Sequence, residues 1–198
     1  MKGIILYGAK SKNTKEMAQA IYQVVKEEVS VDLQAMNKGD APKDGDFYLV
    51  GGSCRYGRFY LPWAKDLKNF EGKPVGLFAT AGSGHTVNFK LKFKSYLNGL
   101  LVGQSSLGTY VCPETIHSNG YGYLKMMPNF ILNHVQSQTR ESGCRDLSLR
   151  NQLLQVFSTA RPASSEELED AGKYFLKKLT GSEGKEKDWT SLFLEKVL

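Results

Sequence analysis

No apolar run in this chain approaches the roughly 20 residues that a membrane-spanning helix needs, so no membrane span is expected. Cysteine is scarce. Cys54, Cys112 and Cys144 are far apart and odd in number, which argues against a disulfide framework and fits a reducing compartment. His85, His117 and His134 share no metal-ligand spacing with one another or with the cysteines, so no metal site is expected. The sequence also lacks an acidic dyad, a nucleophile elbow and a zinc motif, which removes the common routes to hydrolysis. There are no internal repeats and no low-complexity tract. Met1-Lys2-Gly3 leads straight into an apolar segment without signal-peptide architecture, so the expected location is cytoplasmic.

What is present is ordinary for a globular protein. The 198 residues are 41% hydrophobic and 23% charged. The formal charge is +6, which admits nucleic acid, an anionic cofactor or an acidic protein as partner. The lysines are spread along the chain and often sit beside acids, as in Lys26-Glu27-Glu28, and no nucleic-acid-binding signature occurs. Nucleic acid is therefore not an expected partner.

Strand and helix patterns alternate. Residues 3–7, 47–51 and 75–80 read as strong apolar strands, with weaker ones at 29–33 and 106–112. Residues 13–28 read as an amphipathic helix with Met17, Ile21, Val24 and Val25 on one face. Helices are also expected at 62–69, with Leu61, Trp63 and Leu67 inward, at 89–101, and from Ser164-Ser165-Glu166-Glu167 to about 180, where Gly181 stops it. Strands separated by helix-length segments imply β-α-β units and a mostly parallel sheet. The pattern breaks over 113–160, where only 129–137 and 147–156 look helical. A segment that long between elements is a cover, an interface or partly mobile. Trp189, Leu192, Phe193 and Val197 form one stripe of a C-terminal extension that docks on its own domain or on a partner.

In a parallel sheet, ligands gather beyond the carboxyl ends of the strands. The first strong strand runs into Gly8-Ala9-Lys10-Ser11-Lys12-Asn13-Thr14, which feeds directly into a helix. A strand turning into a helix N-terminus presents free N–H groups to a phosphate. Ser11, Asn13 and Thr14 can donate hydrogen bonds, and Lys10 and Lys12 bring charge. An ordinary turn capped by Asn13 or Thr14 accounts for the same residues. The second loop is Gly52-Ser53-Cys54-Arg55-Tyr56-Gly57 and the third Ala81-Gly82-Ser83-Gly84-His85-Thr86. Small residues let backbone approach a flat ligand. Tyr56 offers an aromatic face, and Arg55 can pair with an anion. The plainer alternative is three flexible loops with Cys54 as a small filler. Together the three loops point to a phosphorylated planar ligand.

Here the chain resembles the flavodoxin-like family. Tyr7-Gly8-Ala9-Lys10-Ser11-Lys12-Asn13-Thr14-Lys15-Glu16-Met17-Ala18 is similar to that family's FMN phosphate loop, which ends in Gly-Asn-Thr. The likeness continues through Asp46-Phe47-Tyr48-Leu49-Val50-Gly51-Gly52-Ser53, the Tyr56-Gly57 pair, residues 72–82, and Arg161-Pro162 with the helix after it. The chain departs from the pattern at Lys12, where the family has glycine, and at Ala9, where it often has Ser or Thr. A lysine is costly at that position if the backbone there needs positive φ. The chain is also basic where many flavodoxins are acidic.

The resemblance implies a doubly wound, five-stranded parallel sheet in three α/β/α layers. It would form a single domain over 1–180, with 113–160 inserted before the last core helix and 181–198 as an extension. It implies noncovalent FMN. The phosphate would lie on Lys10, Ser11, Lys12, Asn13 and Thr14. The ring would lie between Ser53, Cys54, Arg55, Tyr56 and Gly57 on one side and Ala81, Gly82, Ser83, Gly84 and His85 on the other. Tyr56 is the best stacking candidate, and Arg55 or His85 near the ring would raise its potential. Three functions follow: an electron carrier to a partner enzyme; an FMN-dependent reductase of a small acceptor, with 113–160 covering the flavin and His117, Tyr121 or Tyr123 guiding substrate or proton; and a flavin-free binding protein on the same scaffold. A homodimer through 113–160 or the extension is a further expectation.

Overall fold

Five apolar runs become the parallel strands of one sheet, because each is flanked by a helix or loop long enough to carry the chain back across it. In this computed structural model the described residues are 1–8, 11–36, 42–55, 58–60, 67, 70, 72–82, 87–114 and 161–181. The elements in chain order are β1 (Lys2–Gly8), α1 (Lys12–Val25), β2 (Ser30–Met36), β3 (Phe47–Arg55), β4 (Arg58–Tyr60), β5 (Val75–Ala81), α2 (Val87–Leu100), β6 (Ser106–Pro113) and α3 (Ser165–Thr180). The order across the sheet is β2-β1-β3-β5-β6, with β4 added antiparallel on β3. The chain steps from β1 to one side and then back past it to β3, so the order reverses between those two strands.

The register lines up Ala35, Tyr7, Gly51, Phe78 and Tyr110 in one row across the five parallel strands. Gly51 sits in the middle of this row because the Phe78 ring lies where its Cβ would be. Any side chain there would displace an aromatic ring from the core.

Alternation along the strands divides the core in two. Ile4, Leu6, Tyr48, Val50, Leu77 and Ala79 face the side covered by Phe93, Leu97 and Leu101 at α2. Leu67 and Phe70 fill the same side, with the Phe70 and Tyr48 ring centroids 4.2 Å apart. Ile5, Tyr7, Phe47, Leu49 and Phe78 face Met17, Ala18, Ile21 and Val25 of α1 and Ala171 and Phe175 of α3. The result is three layers with helices on both faces.

Helix α3 is delimited by strong local signals. Ser164 and Glu167 form a reciprocal capping box, and Gly181 ends the helix in the left-handed region at φ 66°. Helices α1 and α3 approach closely at Gly172, where an added Cβ would stand 2.7 Å from Val24 Cβ.

The expected strands and the helices at α1, α2 and α3 are present with small shifts of their ends. Of the expected helix at 62–69 only Leu67 is described, and it is buried as anticipated. The helical stretches at 129–137 and 147–156, nearly all of the 113–160 segment, and the stripe at 189–197 lie outside the described residues.

Candidate functional site

The β1–α1 turn is built by Ser11. Its backbone is extended (φ −106°, ψ 116°) and its Oγ accepts from the Thr14 N–H at 3.2 Å, capping the helix. The cap is therefore Ser11, not Asn13 or Thr14. A serine that can accept from the amide three residues on satisfies one of the orphan donors of the first turn. The Ser11 carbonyl accepts from the Lys15 N–H at 3.1 Å. The N–H groups of Lys12 and Asn13 have no hydrogen-bond partner among the described residues. They stand at the positive end of the α1 dipole, where an anion is favoured.

Lys12 is the first residue of α1. A residue in that position has helical dihedrals, so the backbone there asks for no positive φ and a lysine fits without strain. Its Nζ lies 3.7 Å from Glu16 Oε1, and both side chains are exposed. Such an i,i+4 pair adds little stability.

Thr14 was expected as a phosphate donor. Its side chain is fully buried, with Oγ1 3.0 Å from Thr80 Oγ1 near the end of β5. A hydroxyl can donate one bond and accept two, so this contact fixes Thr14 without using all of its capacity. It also ties the first turn of α1 to the strand from which the third loop departs. From the sequence Thr80 is only a strand end; a polar residue closing an otherwise apolar strand is the available signal.

The second loop begins later than its composition suggests. Gly52, Ser53, Cys54 and Arg55 continue β3, and the chain stays extended because β4 pairs with it. The pairs are Ser53 with Tyr60, Cys54 with Phe59 and Arg55 with Arg58. Ser53 is buried, and Cys54 is half-buried against the α2-side core. The third loop also starts later: Ala81 is the buried last residue of β5, and its carbonyl accepts from the Glu114 N–H at 2.9 Å. Gly82 follows in a turn, half-buried. Lys10, Tyr56, Gly57, Ser83, Gly84 and His85 lie outside the described residues.

The parallel strands bring these ends together. Tyr7 is level with Gly51, and Ser53 is level with Thr80. Ser11–Thr14, Ser53–Arg55 and Ala81–Gly82 therefore share the carboxyl edge of the sheet at the reversal between β1 and β3, which is where such sheets bind ligands.

A polar cluster closes the same edge at β6. Arg161 holds the Glu167 carboxylate through two bonds of 2.7 and 2.9 Å, and Ser164 N–H donates to it at 2.9 Å. Lys90 Nζ is 3.7 Å from the same carboxylate. Chiefly through the Arg161 hydrogen bonds, and against partial burial, the Glu167 carboxyl is held at about 2. Beneath it Cys112 Sγ lies 3.6 Å from the Glu167 carbonyl oxygen, and burial pushes its thiol up to about 12. This thiol is unreactive at neutral pH. Among the described residues, no three His, Cys, Asp or Glu side chains converge to hold a metal. No described helix is long and apolar enough to cross a membrane.

A doubly wound sheet with an amide cradle at its first crossover defines a flavodoxin-like α/β/α protein. The family model described as "Flavodoxin domain" matches residues 4–143, and the chain belongs to that family. No protein of curated function matches it in sequence. Among solved structures it is similar to two-electron reduced Megasphaera elsdenii flavodoxin at 25% identity, over 55% of this chain and 84% of the other, with a TM-score of 0.43. It is also similar to a Lactobacillus acidophilus flavoprotein in complex with FMN, at 19% identity over 56% of this chain and 92% of the other, with a TM-score of 0.42. A flavone reductase aligns over 94% of this chain and 66% of its own at 8% identity, with a TM-score of 0.48.

Proposed function

We propose that this protein binds FMN at the carboxyl edge of its sheet and passes electrons to a partner enzyme. The observation that carries the reading is the pair of amides at Lys12 and Asn13, without partners among the described residues and placed at the switch point of a flavodoxin-family sheet. That cradle suits a phosphate monoester dianion in charge and in donor type. Lys10 to Thr14 would hold the phosphate. Ser53 to Gly57 and Ala81 to His85 would flank the ring, with Tyr56 as the stacking side chain. When bound, the flavin supplies one- and two-electron transfer, and the protein tunes its potential.

The chain's own residues have defined tasks in this reading. Ser11 shapes the turn by capping α1. Thr14 and Thr80 lock that turn to β5. The pairing of β3 with β4 keeps Ser53, Cys54 and Arg55 extended at the carboxyl edge.

The test is a titration of the purified protein with FMN and with riboflavin, which lacks the phosphate. FMN should develop a protein-bound visible spectrum and lose emission. Riboflavin should bind at least about tenfold more weakly, because about 1.4 kcal/mol is well below what two charge-assisted hydrogen bonds provide. Equal affinity for both would remove the cradle from the account. No change with either would remove the flavin. Oxidation of NAD(P)H with a small acceptor and no second protein would replace the carrier reading with that of a reductase.

A further inference from the structure

We infer that α2 is a docking surface for an acidic partner protein. Residues 72–113 contain four lysines and no Asp or Glu. Three of these, Lys90, Lys92 and Lys94, lie on α2, which carries no acid of its own. Lys90 and Lys94 are one turn apart on the flank toward α3. There Lys90 meets Glu167 at 3.7 Å, and Lys94 Nζ lies 5.5 Å from the centroid of the Tyr174 ring. Lys92 lies on the outward side, exposed and with no ion-pair partner among the described residues.

Apolar side chains share that outward side. Leu91 is 61% exposed, Tyr96 39% and Val102, just past the helix, 82%. Along α2, Lys92 follows Leu91 directly, and Tyr96 stands one turn beyond Lys92. Single exposed apolar residues are ordinary, but Leu91 and Tyr96 on either side of Lys92, on a helix without acids, combine apolar contact with positive charge. That combination suits a protein surface, which supplies apolar contacts at its centre and carboxylates at its rim. A nucleic acid backbone or an anionic membrane calls for denser cationic charge than three lysines.

The placement gives the surface its purpose. Helix α2 starts directly after the third loop, so a partner seated on its first turns lies beside the proposed flavin ring. The inference takes that purpose from the FMN reading, but its test does not depend on bound flavin.

The full chain, isotopically labelled, is titrated with an acidic [2Fe–2S] ferredoxin as the probe, and with basic cytochrome c as the charge control. Ferredoxin should perturb the amides of α2, bind more weakly as salt is raised, and lose about tenfold in affinity to the variant L91S/K92E. Cytochrome c should leave α2 unperturbed. The melting temperature and FMN affinity of L91S/K92E should match the parent, which separates a docking role from a folding or cofactor role. Absence of ferredoxin binding, shifts confined to other elements, or unchanged affinity in L91S/K92E would overturn the inference. So would tighter binding of duplex DNA or anionic phosphatidylserine vesicles at α2. A protein that docks ferredoxin on α2 yet takes up no FMN would sink the redox reading while leaving the docking surface standing.

Discussion

The hydroxyl pair Thr14–Thr80 gives the most direct test of how the cradle is held. Both side chains are buried, and their oxygens are 3.0 Å apart. Replacing one threonine by valine keeps the shape but leaves the other hydroxyl without this partner. A buried hydroxyl left unpaired costs about 1–3 kcal/mol. Replacing both removes the polar pair together and should cost less than the two single changes added. The expected coupling is roughly 1 kcal/mol, as for contacting buried groups. Urea unfolding of T14V, T80V and T14V/T80V without flavin measures it. Flavin affinity then separates the two residues. T14V removes a hydroxyl that still has hydrogen-bonding capacity in the cradle, whereas T80V removes only its anchor, so T14V should weaken FMN binding more. Strict additivity in the unfolding series would show that the two hydroxyls do not act as a pair. Equal effects on FMN would leave Thr14 no role at the phosphate.

Other predictions concern packing and pH. Gly172→Ala should destabilise by about 1–3 kcal/mol although alanine is the better helix former by about 1 kcal/mol, because the new methyl meets Val24. Gly172→Ala with Val24→Ala should recover part of the loss in thermal melts, and a G172A variant as stable as the parent would refute the close approach. Glu167 is held at about 2, below its ordinary 4.5, so its contribution is complete above about pH 4.5 and disappears as pH falls toward 2. The stability gap between the parent and E167Q, measured by urea unfolding, should therefore close across that window. A gap unchanged down to its lower end would contradict the ion pair with Arg161.

The fold was largely legible because local pattern and tertiary context agree. Ile4, Ile5 and Leu6 read as a buried strand and are fully buried. Ser164 to Glu167 read as a helix start and form the capping box. Within the candidate site, the helix start at the first loop was legible, with Ser11 and Asn13 at the head of α1, and the conformation of the second loop was less so. Gly52, Ser53 and Cys54 carry turn-forming or small side chains, yet pairing with Phe59 and Tyr60 keeps them extended. Such pairing is a tertiary fact that composition does not carry. The partner of Thr14 was invisible for the same reason, since Thr80 is remote in sequence and adjacent only after the sheet forms. Tyr56 and His85, the other side chains singled out for the ring, lie outside the described residues.

Helix α3 comes last of the described elements yet covers the middle of the sheet, laying Phe175 beside Phe78 with ring centroids 6.4 Å apart. During synthesis the strands and α1 leave the ribosome first, and half of that sheet face has no lid until residues 165–180 emerge. Nascent chains paused before that point present Phe78 and Cys112 to solvent, the kind of surface that chaperones capture and that otherwise clumps. Completion of the last helix is thus the moment at which the young polypeptide can seal that face.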